Sequence, residues 1–181
     1  MNAYIVFIDE SGLLTSPFVR RTWAPRGKTP VFYQKGRSYQ KVSAIAALCI
    51  SPHQRRYRLF FRLHRNLSIN KGLTNQFLAQ LDHQLRRNAI IVWDRLQVHR
   101  STLVQDFIER KKNLHNEFLP PYAPELNPVE YLWGWLKTNP MANTAFDDAI
   151  GIAKNARKQG HRVQRSPCLL RSFTKQAKLF F

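Results

Sequence analysis

The segment Ala89-Ile90-Ile91-Val92-Trp93-Asp94 is five apolar residues closed by an acid, and its surroundings decide the fold. Upstream, Phe77, Leu81 and Leu85 recur every four residues with Leu78 beside them, which predicts an amphipathic helix from about Thr74 to Asn88. Downstream, Ser101 stands at the N-cap position of a helix carrying Leu103, Val104, Phe107 and Ile108. A short apolar run between two helical patterns reads as a strand covered on both faces, as in a parallel sheet with helical crossovers. Its counterpart opens the chain. Ala3 to Ile8 is a near-continuous apolar run, again closed by an acid, Asp9, with Ser11-Gly12 offering a turn.

Between these two strands, Lys41 to Ile50 is an apolar run closed by Ser51-Pro52, and Arg56 to Leu63 pairs with it as a hairpin. Pro17, Pro25, Gly27 and Pro30 leave room only for short extended pieces such as Val31-Phe32-Tyr33. Leu114 to Leu119 reads as a last strand. Pro128 begins a helix with Val129, Leu132, Trp133 and Leu136 on its apolar face, and two basic helices follow near Ala145 to Gln159 and Pro167 to Lys178. The expected architecture is an α/β mixed sheet, three antiparallel strands extended by two parallel strands, flanked by helices. With no repeat, low-complexity tract or linker, residues 1–181 read as one domain with a basic helical part from about 140 to 181.

The chain carries 29 Lys and Arg against 11 Asp and Glu, a net charge of +18. Between Ser11 and Leu81 there are thirteen cations and no acid, and after Asp148 eight cations and no acid. Such a polycation suits nucleic acid, because neutralising phosphates releases condensed counterions. Two cysteines, Cys49 and Cys168, make neither a disulfide framework nor a metal-binding set. No apolar run nears the roughly 20 residues that span a bilayer, and the N-terminus lacks a signal-peptide pattern. The expected location is cytoplasmic, with no membrane partner.

Against that charge, three acids stand out. Asp9 and Asp94 close buried strands, and Glu130 opens an aromatic helix after Pro120-Pro121-Tyr122-Ala123-Pro124-Glu125-Leu126-Asn127-Pro128. A carboxylate at such a place is costly to ionise without a compensating cation. Three of them on different elements can hold two Mg²⁺ about 4 Å apart for phosphoryl transfer. Asp9 would bridge the ions, Asp94 would bind one and Glu130 the other, with Gly134 one helical turn later leaving space beside the site. Spacing alone leaves other roles open. Lone acids often form turns or caps, an acid in a first helical turn favours the macrodipole, and Glu10 or Glu125 could replace a neighbour.

The run Leu119-Pro-Pro-Tyr-Ala-Pro-Glu-Leu-Asn-Pro-Val-Glu-Tyr-Leu-Trp133 resembles the signature of DDE-type transposases of the mariner-like superfamily, within the bacterial insertion-sequence six-thirty group. The segment Phe7-Ile-Asp-Glu-Ser-Gly12 is similar to that family's first catalytic strand, and Trp23-Ala-Pro-Arg-Gly-Lys-Thr-Pro30 to a motif that follows it. Val92-Trp-Asp-Arg-Leu-Gln-Val-His-Arg-Ser101 is similar to the second catalytic strand, with His99 at the family's histidine position. The resemblance implies a ribonuclease-H-like fold and Asp9, Asp94 and Glu130 as catalytic and metal-binding residues, which excludes Glu125. It also implies two Mg²⁺ ions, with Mn²⁺ as substitute, cleavage at transposon ends, and strand transfer into target DNA. Arg95 departs from the Asn that many members carry. No N-terminal helix-turn-helix region precedes the first strand, so recognition of ends is expected to involve a separate polypeptide carrying that motif, or a frameshift partner, with the chain working as a homodimer on DNA.

Arg26, Lys28, Arg37 and Lys41 fall in the acid-free stretch after Asp9 and are expected phosphate contacts; His99, Lys137 and Trp135, the last by stacking on bases, are further expected DNA contacts. His99 serves equally as a helix cap. The remaining histidines have no zinc-ligand spacing. Two alternatives belong to other classes: a non-catalytic DNA-binding remnant, which would gain nothing from three acids facing phosphate, and another ribonuclease-H-like DNA nuclease.

Overall fold

The computed structural model describes residues 2–16, 18–31, 40–54 and 56–179. Five strands, β1 (Tyr4–Leu14), β2 (Lys41–Ile50), β3 (Tyr57–Arg65), β4 (Ala89–Trp93) and β5 (Leu114–Phe118), form one sheet in the order β3-β2-β1-β4-β5. The β3-β2-β1 pairs are antiparallel, whereas β1-β4 and β4-β5 are parallel. Five helices flank it: α1 (Lys71–Leu85), α2 (Thr102–Glu109), α3 (Pro128–Thr138), α4 (Ala149–Gln164) and α5 (Pro167–Gln176). This is the expected mixed, ribonuclease-H-like sheet.

The pleat sorts side chains onto two cores. Phe7 and Leu13 of β1 and Val42, Ala44, Ala46 and Leu48 of β2 pack with α3, α4 and α5. Val6, Ile8, Ile45, Ala47, Ile91 and Trp93 pack with α1 and α2. Trp93 is wholly buried, and burying a ring of that size stabilises by roughly 2–3 kcal/mol. The basic helices α4 and α5 share the first core through Ile152, Ala156, Val163, Leu170 and Phe173. There Gly160 lets α4 close on β3, since a Cβ at that position would lie 2.4 Å from the Phe61 ring.

Several expected boundaries move, each for a local reason. Strand β1 runs six residues past Ile8, through the expected turn. Ser11 and Gly12 stay paired with Ala44 and Ser43, because the long apolar β2 offers a ladder that outweighs the weak turn signal. Helix α1 starts earlier, where the Asn70 side chain accepts from the Leu73 N–H, and stops at Arg86, which adopts φ 49. Helix α4 begins later than expected because Asp148 caps it through the Gly151 N–H. Ser101 occupies the N-cap of α2, yet its hydroxyl donates back to the Val98 carbonyl instead of capping. Val31 is exposed outside any strand, while Phe32 and Tyr33 lie outside the described residues. No described helix is long and apolar enough to cross a membrane.

Candidate active site

Strand β1 has an antiparallel partner on one side and a parallel one on the other, so connection direction switches across it. Its parallel pairing with β4 ends at Phe7–Val92. Asp9 and Asp94 each lie two residues beyond that last pair, where the strands part and open sheets form sites. Asp9 therefore sits inside β1, opposite Ala46, and not at the strand end expected from the apolar run.

Alternation separates the two consecutive acids of β1. Asp9 points to the α3 side, where the Trp133 indole Nε1 donates to its Oδ2 at 2.8 Å. Only 7% exposed, its carboxyl is pushed up to about 8, first by burial and then by the charges of Glu130 and Glu10. Glu10 points to the other face, and its Oε1 accepts from His99 Nε2 at 3.0 Å while its Oε2 is buried without a partner.

Asp94 follows β4 directly. Its Oδ1 accepts from the Leu96 N–H at 3.1 Å and lies 2.8 Å from His99 Nδ1. Burial acts to raise its pKa, but those bonds outweigh it and hold the group below the usual carboxylate range. His99 is wholly buried and stacks on Trp93 at 4.2 Å. Burial alone would lower its pKa, yet the Asp94 and Glu10 carboxylates raise it to about 10, so it is a cation donating from both nitrogens. His99 is thus neither the expected DNA contact nor a cap for α2. It is a buried link between Glu10 and Asp94.

Glu130 occupies the first turn of α3. The position of that turn is set by Asn127, whose Oδ1 accepts from the Val129 N–H and whose Nδ2 donates to the Ile8 carbonyl, one residue before Asp9. Pro128 presets the first helical residue. Burial raises the pKa of Glu130, the Lys137 charge works against this, and the Asp94 charge adds to it. Gly134, one turn later, has open space where a Cβ would stand.

Asp9, Asp94 and Glu130 line one cleft of about 350 Å³, walled by Leu119 to Pro124 and by Arg95. Glu125 is exposed and does not line it. Among the described residues no three His, Cys, Asp or Glu side chains converge tightly enough to enclose an ion. The acids form an open cleft of hard oxygen donors in place of a closed cage. Such a donor set fits Mg²⁺, which keeps waters and substrate phosphates in its shell.

The other expected contacts scatter. Arg26 and Lys28 are exposed in an irregular segment beside Trp23, itself 98% exposed. Lys41 donates to the Ser68 hydroxyl opposite the far end of β1. Trp135 is half-buried against the α3–α5 core, Lys137 lines a separate cleft with Met141 and Phe146, and Arg37 lies outside the described residues. Sequence reasoning missed Arg95 at the cleft wall, the Asn127 tether and the Trp133 donor. Only Asn127 left a signal, as a good N-cap before proline.

A sequence profile of DDE superfamily endonucleases matches residues 4–152. An uncharacterized protein, y4pE/y4sA of Sinorhizobium fredii (strain NBRC 101917 / NGR234), is 34% identical over 61 residues, 34% of this chain and 42% of that protein. The fold is similar to that in the Mos1 mariner paired end complex with Mn, at TM-score 0.67 and 16% identity over 96% of this chain and 53% of that one. The paired end complex with Mg matches at 0.69, also at 16% identity over 96% of this chain and 53% of that one. The catalytic domain of Mos1 mariner transposase matches at 0.55 and 16% identity, over 98% of this chain and 83% of that one. The chain thus spans about half the length of the paired-end relatives and less than half of the curated one.

Proposed function

The chain belongs to the DDE superfamily endonucleases, and from that membership we propose that residues 1–181 are the catalytic domain of a transposase, cutting DNA at transposon ends and joining it to a target. One observation carries this reading: Asp9, Asp94 and Glu130, far apart in sequence, line one cleft in a protein of net charge +18. The fold likeness to Mos1, seen in paired end complexes with Mn and with Mg, supports it.

Divalent ions, most simply two Mg²⁺ or Mn²⁺, would polarise the scissile phosphate and lower the pKa of the attacking oxygen. Asp9, buried in the cleft beside the charges of Glu130 and Glu10, would serve as a shared ligand. Asp94 commits Oδ1 to its own turn and to His99, and its Oδ2 has no protein partner among the described residues, which leaves that oxygen for an ion. Glu130 reaches in from α3, and the open space at Gly134 admits the DNA strand. Arg95 stands at the cleft wall to take a phosphate, as a guanidinium does well. Little covalent work is left for the protein beyond positioning and charge compensation. Arg26, Lys28, Arg37, Lys41, Trp135 and Lys137 remain candidate DNA contacts. A homodimer on DNA, a separate helix-turn-helix partner and action at the nucleoid complete the proposal.

The test is strand cleavage and joining on duplexes carrying candidate ends, with Mg²⁺ or Mn²⁺. Asp9→Asn, Asp94→Asn and Glu130→Gln should each abolish both reactions while leaving DNA binding. Full activity in any of the three would overturn the assignment.

A further inference from the structure

On the outer edge of the sheet, away from the acid cleft, β3 and α1 border a groove of about 560 Å³. Arg58 and Arg62 line it from the strand, His83 and Arg86 line it from the end of α1, and no acid is among its lining residues. None of the three arginines has a carboxylate partner among the described residues, where the ion pairs are His99 with Glu10 and Asp94, and Lys111 with Asp82. Their charge also reaches inward. Burial and, after it, the Arg62 charge push the nearby His64 below its usual pKa.

The arginines are presented for a ligand. Arg58 lies 5.6 Å over the Phe60 ring, a cation–π contact that favours this placement of the guanidinium. Arg58 and Arg62 share a strand face about 13 Å apart, which spans several phosphate intervals of a DNA strand. Arg86 holds the left-handed position that closes α1, with φ 49, where glycine is the unstrained choice. The groove is poorly suited to an added β-strand, because Gln164 already donates to the outward Leu59 carbonyl at 2.8 Å.

We propose that this groove is a DNA-backbone track outside the acid cleft, in which Arg58, Arg62 and Arg86 grip phosphates of the duplex flanking the segment being cut. It rests on the reading above that DNA is the substrate, and it adds where the flanking duplex is held. Arg62 lies in the same cross-strand row as Glu10, two strands away and so roughly 10 Å across the sheet.

The experiment measures binding of the full chain to a fluorescent duplex in EDTA, by anisotropy, across a range of KCl. The Arg58→Ala/Arg62→Ala double variant should lower the slope of log Kd against log salt by about two, and Arg86→Gly by about one. Arg86→Gly also removes a strained φ, so its urea midpoint should not fall below the parent's. That separates lost grip from lost fold. An Arg110→Ala/Lys112→Ala control on the opposite sheet edge should change the slope less than either. Parent-like slopes in the groove variants, or an equal loss in the control, would overturn the groove while leaving DNA binding intact. Absence of any duplex binding by the parent would overturn the functional reading itself.

Discussion

Asp9→Asn should make the metal-free protein more stable, and only over a defined pH range. The carboxyl titrates near 8 when folded against 3.8 in the free side chain, chiefly because burial penalises its charge. Between those values the folded state holds a proton that the unfolded state has lost, so stability falls as pH rises from about 4 to about 8 and is level above that. Across that window the loss is about 1.4 kcal/mol for each step of one in pH. At pH 7, about three such steps above 3.8, the accumulated cost is about 4 kcal/mol. Asparagine keeps the acceptor for Trp133 Nε1 and carries no charge to desolvate, so the variant should exceed the parent by that amount at pH 7 and by almost nothing at pH 4. Urea unfolding in EDTA at pH 4, 5, 6, 7 and 8 reads the difference directly. Adding Mn²⁺ should narrow that gap, because an ion bound only by the parent stabilises it by about 3 kcal/mol at a hundred times its dissociation constant. A gap between parent and variant that does not change with pH would refute the reasoning.

Three further substitutions probe the frame. Gly134→Ala should stabilise by about 0.5–1 kcal/mol, since α3 gains a better helix former and the new methyl meets open space, yet strand cleavage should fall if that space admits DNA. Gly160→Ala, chemically the same change, should destabilise by about 1–2 kcal/mol in urea, because overpacking against Phe61 exceeds the helix gain. Asn127→Ala, in the tether itself, should cost about 2–3 kcal/mol, losing a cap and leaving the Ile8 carbonyl without its donor, and should cut turnover more than DNA affinity as Glu130 loses its anchor.

Strands β2 and β4 were readable to the residue, because each is a continuous apolar run bounded by breakers or charges. The α3 start was equally legible from Asn-Pro. What sequence could not resolve was direction. Asp9 and Glu10 are adjacent acids, and only the pleat shows that one faces the cleft and the other faces His99. The His99 role was hidden because its partners come from two strands, 89 and 5 residues away. Trp133 reads as core from helical spacing and is core, but its N–H serves Asp9, a use that periodicity cannot report. The β1 boundary was misjudged because a Ser-Gly pair signals a turn only when no neighbouring strand continues to hold it.

The pairing of β1 with β2 continues from Ile5 to Leu14, with Asp9 and Glu10 near its middle. A slip of one residue would exchange their faces, setting the longer glutamate under Trp133 and the shorter aspartate toward His99. The acids would all still be present and the reaction would not be. Alignment of the acid cleft is therefore inherited from the alignment of a sheet, and an insertion or deletion far along β1 is as dangerous to the proposed chemistry as the loss of a carboxylate.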